Sequence, residues 1–299
     1  MKIQLIVIYI SLLSFTIHGQ ISSSNISPEK LAEIEGVVAT HMQTFDTPAL
    51  SVALVKCGQS TFINQGNYDR HTDRKVNENS IYQIASLSKT FTAIIINNLI
   101  HEGTLKPDEP ITTYLPSDYT AKTKQKLSVI TIRNLFHHQS GMRGDSKVLL
   151  KIRKGNGDFE YNYTAADFDS ELMKTKLKLR PGEKYMYSNF GYALLGYVAE
   201  LVTGKSYETL LAQYVSIPMK MTSTSAMIKD HNRLVTAYRK DKKNKVIKPW
   251  VMGKLTPPSG LFTTTSDLAE MLIQHIDVYR NKIKSPLILT DDTLSLIHI

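Results

Sequence analysis

Residues 82–103 read YQIASLSKTFTAIIINNLIHEG and place two serines, Ser86 and Ser88, immediately ahead of Lys89. A serine hydroxyl is a weak nucleophile unless a base lies within hydrogen-bond reach. A lysine desolvated among apolar neighbours can be that base, or can tune another one. On a helix, residues three apart share a face and adjacent ones do not, so Lys89 faces Ser86 while Ser88 points elsewhere. Ser86 is the candidate nucleophile. It would also lie at a helix N-terminus, where unpaired N–H groups and the helix dipole favour developing negative charge. The spacing alone is a weak signal, because Ser-x-x-Lys recurs at Ser27 and Lys30, where a helix cap accounts for it.

Further along, PGEKYMYSNFGYALLG contains Tyr187-Ser188-Asn189. A tyrosine can relay a proton beside a cation, and an asparagine can hold both a lysine and a substrate amide. Tyr279-Arg280-Asn281 repeats the Tyr-x-Asn spacing, but it follows a regular helix and reads as surface.

The elements that must position these residues follow from periodicity and punctuation. Ser27-Pro28-Glu29 starts a helix with a capping hydroxyl, proline at the first helical position and an acid at the positive dipole end. ALSVALVK and STFINQG, joined by Cys57-Gly58, predict a β-hairpin. The helix carrying Lys89 shows an apolar stripe of Ile84, Leu87, Phe91, Ile94, Ile95 and Leu99, and is expected to stop at Gly103. TIRNLFHHQSGM predicts a short helix capped by Thr131 and ending near Gly141. Residues 145–180 are polar and Lys-rich and predict a more helical, variable part. FGYALLGYVAELVTG predicts a buried helix ended by Gly204, and TTTSDLAEMLIQHI a further one capped by Thr265 or Ser266.

Taken together, IASLSKTFTA, ITIRNLFHHQSGM, RPGEKYMYSNFGYALLGYVAELVTGKSY and PPSGLFTTTSDLAEM resemble four successive signature blocks of the serine beta-lactamase-like superfamily. The nearest branch is the class C beta-lactamase, penicillin-binding protein and esterase-like one, and the resemblance runs from about Pro28 onward. It implies an α/β fold: an antiparallel sheet flanked by helices, an inserted mainly helical subdomain, and an active site between them. It implies Ser86 as the acylated nucleophile, Lys89 as its general-base partner and Tyr187 as the proton relay to the leaving group. Asn189 would orient Lys89 and bind the substrate's carbonyl compound, and the Ser86 backbone N–H would form half of an oxyanion hole. Whether Lys89 or Tyr187 takes the first proton stays open, since the two would titrate as a coupled pair. A class A enzyme would instead carry Ser-Asp-Asn and a glutamate with its water, which Tyr187-Ser188-Asn189 does not match.

His138 falls where the family often has a histidine before Ser-Gly. A Ser-His-Asp triad is the alternative, but a structural hydrogen bond is the usual fate of a histidine beside a helix end. Gly260, in PPSGLF, is expected in a tight loop near the site, there for backbone reasons. The function implied is an exported serine acyl hydrolase acting through an acyl-enzyme on an ester, a D-amino-acid peptide or a beta-lactam carbonyl. The motifs do not choose among these substrates, because selectivity lies in pocket walls. A non-catalytic binding protein that keeps the fold is the alternative. No metal-ligand spacing appears, and no cofactor is expected.

The sequence also departs from the family. Its third motif, a Lys-Thr-Gly or His-x-Gly triplet on a strand beside the nucleophile, is absent; Thr203-Gly204-Lys205 has the wrong order and ends a helix. The family's closing C-terminal strands are missing too. Leu294 to Ile299 read LSLIHI, which CTG-TCT-CTT-ATA-CAC-ATC would encode, a string that resembles the transposon mosaic end used to tag sequencing libraries. Authentic sequence is therefore expected to stop near Thr293, leaving residues 20–293 as an incomplete hydrolase domain. The chain by itself is expected to be inactive.

The rest of the composition narrows the setting. At 299 residues and 42% hydrophobic, the chain can bury a substantial core. Residues 1–19 carry Lys2, an apolar run from Ile3 to Ile17 and then Gly19, the layout of a secretory signal peptide, so a periplasmic or secreted location is expected. Membrane contact is expected only if that segment stays uncleaved. No cysteine lies near this boundary to carry a lipid, and Cys57 is the only one in the chain, so no intramolecular disulfide forms. The net charge of +9 gathers partly in RKDKKNKVIK, residues 239–248, which without aromatic interleaving predicts a solvated surface loop or hairpin rather than a nucleic-acid surface.

Overall fold

A computed structural model describes residues 26–147, 150, 163–239 and 245–281. The signal-like segment 1–19 and residues 294–299 lie outside the described residues, as do 240–244 of the basic run and much of the Lys-rich stretch after residue 147.

Helix α1 (Pro28–Phe45) opens as its sequence dictates: the Ser27 hydroxyl accepts the Lys30 N–H, with Pro28 in the first turn. It leads into strands β1 (Ala49–Lys56) and β2 (Gln59–Gly66), an antiparallel hairpin registered from Ala49 opposite Gly66 to Lys56 opposite Gln59. The turn is Cys57-Gly58, with φ of 50° and 74°, the doubly positive conformation that two-residue hairpins need. Cys57 is exposed there.

Strand β3 (Tyr82–Gln83) is followed by a 3-10 turn at Ala85–Leu87 and then by α2 (Ser88–His101). The expected amphipathic helix is thus two pieces, and its longer piece is not amphipathic. Lys89, Thr90, Phe91, Thr92, Ala93, Ile94, Ile95 and Ile96 are all buried, so the first two turns of α2 are enclosed on every side. It ends before Gly103, whose φ of 76° closes the turn beyond the C-cap residue Glu102. Short helices α3 (Ala121–Leu127) and α4 (Ile132–Phe136) follow. Thr131 caps α4 through a reciprocal box with Asn134, but the helix stops at His137, several residues short of Gly141. Then come α5 (Ala165–Lys174), α6 (Asn189–Thr203) with Gly204 in the left-handed C-cap position, and α7 (Tyr207–Leu211).

A small antiparallel pair, β4 (Ala237–Tyr238) with β5 (Val246–Ile247), stands on either side of residues 240–244 of the basic run. The last elements are α8 (Thr256–Ser259), β6 (Phe262–Thr263) and α9 (Thr265–Asn281). The α9 cap is Thr264, whose hydroxyl accepts the Asp267 N–H, rather than Thr265 or Ser266. Tyr279 is exposed on the last turns of α9, as expected of surface.

The architecture is the α/β one expected: antiparallel pairs with helices packed around them. Helices α1 and α9 flank the β1–β2 hairpin, and β3 pairs with β6. Among the described residues each sheet is two-stranded, and the closing strands that the resemblance implies are not among them. The core lies in the helical part. Phe91, Ile94, Ile95 and Leu99 of α2 join Phe190, Leu194, Leu195 and Val198 of α6 in one cluster with Met219, Met221 and Leu261. Burying each such side chain contributes about 1.5–3 kcal/mol relative to leaving it in water.

One close approach within this core bears on the site. Gly196 of α6 lies so near Pro257 of α8 that an added Cβ would stand 2.3 Å from the proline Cγ. A pyrrolidine ring cannot swing aside, so α8 or α6 must shift. Gly196→Ala is expected to lower the unfolding free energy by about 1–3 kcal/mol, the usual cost of overpacking, as measured by urea denaturation. An unchanged midpoint would show that the two helices are not held in this contact.

Candidate active site

The site is built where α2, α6 and α8 meet. Ser86 sits in the 3-10 turn that leads into α2, and its side chain is exposed to solvent. Ala85 before it has φ of 46°, a left-handed conformation that is uncommon for a residue with a Cβ. Lys89, in the first turn of α2, is only 2% exposed. Its Nζ donates to Asn189 Oδ1 at 2.7 Å and to the Pro258 carbonyl at 2.9 Å, and stands 3.4 Å from Ser86 Oγ, at the long end for a hydrogen bond. Tyr187 Oη is 2.8 Å from Ser86 Oγ. The ammonium also lies over the Tyr187 ring at 4.6 Å and nearer the edge of contact with the Tyr192 ring at 5.8 Å.

All four residues expected to form the site, Ser86, Lys89, Tyr187 and Asn189, are therefore in one place. Ser88 is turned away: its hydroxyl is buried and accepts the Leu261 N–H at 3.1 Å. Ser88 thus fastens α2 to the segment after α8. Gly260 is indeed beside the site, but its φ of −99° is open to any residue. Its need for glycine is steric instead, because a Cβ would meet the Thr256 Cα at 2.9 Å. Thr203-Gly204-Lys205 is the C-cap of α6, and none of the six strands among the described residues carries a Lys-Thr-Gly or His-x-Gly triplet.

Residues 34–296 match the beta-lactamase family. The chain belongs to that family. Among curated relatives it is 28% identical over 243 residues to Protein flp of Staphylococcus aureus strain MRSA252, a match covering 79% of this chain and 47% of the relative. It is 26% identical over 254 residues to a beta-lactamase of Pseudomonas fluorescens, covering 85% of this chain and 66% of the relative. A crystal structure of a class C beta-lactamase superposes with a TM-score of 0.72 at 21% identity, over 88% of this chain and 69% of that one, a likeness of fold. The chain spans less than half the length of the staphylococcal relative.

Several supports of this family member's site carry no residue-type signal. The Pro258 carbonyl is one. Asp145 is another: its carboxylate accepts the Asn189 Nδ2–H at 2.6 Å, which leaves the amide oxygen facing Lys89. The Ser188 hydroxyl caps α6 by accepting the Gly191 N–H at 2.9 Å, and donates to the Arg143 carbonyl at 2.7 Å. His138 is fully buried, and its Nδ1 accepts the Ser188 N–H at 3.1 Å. It makes the structural hydrogen bond expected of it, and among the described residues no carboxylate or other protein group bonds its remaining ring nitrogen, Nε2, so no Ser-His-Asp triad is assembled around it there.

Burial, reinforced by the nearby Lys89 and His137, pushes the His138 pKa from 6.5 down to about 3. The unfolded chain therefore binds a proton that the folded protein refuses between those two values. Stability from this source is complete above about pH 6.5 and is lost as pH falls toward 3. His275, lowered by its own burial, adds to the same slope. In His138→Asn the fall of unfolding free energy between pH 6 and 4 is expected to be shallower by up to about 1.4 kcal/mol per pH unit. Urea denaturation across that range measures it, with the His275 contribution common to both proteins. Identical slopes would mean that His138 is protonated in the fold.

Proposed function

We propose that this protein is an exported serine acyl hydrolase that works through an acyl-enzyme on Ser86. The observation that carries the reading is the exposed Ser86 hydroxyl held at once by Tyr187 Oη and the buried Lys89 Nζ. Lys89 spends two of its N–H bonds on the Asn189 and Pro258 oxygens. Its 3.4 Å contact with Ser86 Oγ can be made through a lone pair when the amine is neutral and through a proton when it is charged. That geometry suits a base which accepts the serine proton and later returns it.

In the proposed reaction Ser86 Oγ attacks the substrate carbonyl carbon as its proton passes into the Lys89–Tyr187 pair. The Ser86 backbone N–H, at the head of the 3-10 turn, donates to the oxyanion. Collapse of the tetrahedral species breaks the bond to the leaving amine or alkoxide, which takes a proton from Tyr187. Water then attacks the acyl group by the reverse relay and frees Ser86. The Lys89 cation beneath the Tyr187 ring stabilises negative charge developing on the phenol oxygen. Asn189, fixed by Asp145 and Lys89, borders the space where the acyl group would lie.

The substrates proposed are small esters, D-amino-acid peptides or beta-lactams, all of which offer a carbonyl to the same nucleophile. This chemistry needs only side chains and backbone, and among the described residues no cluster of His, Cys, Asp or Glu is placed to hold a metal ion. Export is supported by the signal-like layout of residues 1–19. No helix among the described residues is long and apolar enough to cross a membrane.

Covalent labelling of the full-length protein with a serine-directed fluorophosphonate, located by peptide mass spectrometry, tests the proposal. Ser86→Ala is expected to abolish labelling. Ser88→Ala is expected to keep most of it while losing about 1–3 kcal/mol of stability, because the Leu261 N–H loses its acceptor. Labelling that survives in Ser86→Ala and vanishes in Ser88→Ala would reject Ser86. A folded wild-type protein that is never labelled would favour the binding-protein reading.

A further inference from the structure

His138 reaches Tyr187 from both sides along the chain. Its carbonyl accepts the Met186 N–H at 2.7 Å, and its imidazole Nδ1 accepts the Ser188 N–H at 3.1 Å. The residues immediately before and after Tyr187 are thus held by the main chain and the side chain of one residue. Both contacts require the backbone to fold back on itself, and His138 has φ of 57°. Its ring centroid also lies 4.6 Å from that of Tyr187 and 4.8 Å from that of Tyr192. The chain after it continues the embrace, with the Gly144 carbonyl accepting the Phe190 N–H at 3.1 Å.

The chemistry of the ring points the same way. Accepting a backbone N–H at Nδ1 places the proton of the neutral imidazole on Nε2. That Nε2 is buried and meets no protein acceptor among the described residues, so the ring's contribution here does not lie in that nitrogen. What histidine supplies here, and leucine or phenylalanine could not, is the Nδ1 lone pair aimed at Ser188. With its pKa near 3, the ring stays neutral and keeps that lone pair throughout the ordinary pH range.

We propose that His138 is a positioning residue for Tyr187, clamping the two flanking amides so that the phenol oxygen stays within hydrogen-bond distance of Ser86. This rests on the reading of Ser86 and Tyr187 as the reacting pair. The clamp differs from general packing in requiring an acceptor at one point. Asparagine offers its Oδ1 close to the Nδ1 position and tolerates positive φ; leucine offers nothing there, and glutamine carries its amide farther out.

Two measurements on the full-length protein test this. The first is hydrogen exchange at the Ser188 amide, which is expected to speed up at least ~10-fold in His138→Leu and to return near the wild-type rate in His138→Asn. The second is a double-mutant cycle on ester hydrolysis. His138→Leu is expected to lower kcat about 10- to 100-fold with KM changed less than about threefold, since small misplacements cost on this scale. His138→Asn is expected to recover most of the loss. In a Tyr187→Phe background His138→Leu should add less than about twofold, because the group it positions is already gone. Equal losses in both backgrounds, or an unchanged Ser188 exchange rate in His138→Leu, would overturn the proposal. Should the leucine variant fail to fold, His138→Gln takes its place with the same expectations. If the wild-type protein neither turns over esters nor labels, the proposed hydrolase function fails, while the exchange comparison still decides whether the clamp exists.

Discussion

A lysine side chain sealed inside a protein core must be repaid for the water it has lost, and at Lys89 the repayment sets the architecture. Removing an ammonium from water costs several kcal/mol even after relaxation, unless oxygen atoms replace the lost hydration. The replacements come from distant parts of the chain: Asn189 Oδ1 from the start of α6 and the Pro258 carbonyl from α8, with the Tyr187 ring below. Three helices must therefore meet at one point. The contacts that bring them there are steric and polar at once. Gly196 lets α6 touch Pro257, Thr92 of α2 bonds to the Pro257 carbonyl and Tyr207, and Ser88 ties α2 to Leu261. Packing and site are the same set of interactions seen from two sides.

The second motif is held by an equally dense set of bonds. Residues 138–145 contribute a carbonyl, an imidazole nitrogen, two further carbonyls and a carboxylate to the amides and side chains of residues 186–190. Tyr187 is thus held through the backbone on either side of it as well as through its ring contacts with Lys89 and His138, with its hydroxyl 2.8 Å from Ser86 Oγ. Ser86 itself is exposed at the surface of this assembly, where a carbonyl substrate can approach it.

How much of this could be seen beforehand follows the type of signal each feature leaves. The facing of Ser86 and Lys89 was legible because a spacing of three survives the change from an α-helix to the 3-10 turn at Ala85–Leu87. The break itself was not, since alanine is a strong helix former and nothing in Ala85 announces a positive φ. The helix start at Ser27 and the turn at Cys57-Gly58 were legible from local chemistry. The cap of α9 was ambiguous, because Thr264, Thr265 and Ser266 are all competent and only geometry selects Thr264. The apolar stripe does not stand out on α2 for a different reason: enclosure of its first two turns buries the threonines and Lys89 together with the isoleucines. Pro258 and Asp145 left no trace at all. A backbone carbonyl has no residue type, and an aspartate in a glycine-flanked loop looks like any turn. The resemblance to the family located the second motif, and the geometry then supplied what holds it.

In the proposed mechanism the buried Lys89 amine activates Ser86, and a substitution that replaces only that nitrogen tests it. Lys89→Met keeps the length and apolar stem of the side chain. It removes the charge together with the partners of Asn189 Oδ1 and the Pro258 carbonyl, a loss of about 1–3 kcal/mol per unpaired group. The full-length variant is expected to melt cooperatively and to react with a fluorophosphonate at Ser86 at least ~100-fold more slowly than the wild type, the scale of a positioned base. Phosphonylation of Ser86 at the wild-type rate in a folded Lys89→Met protein would contradict it.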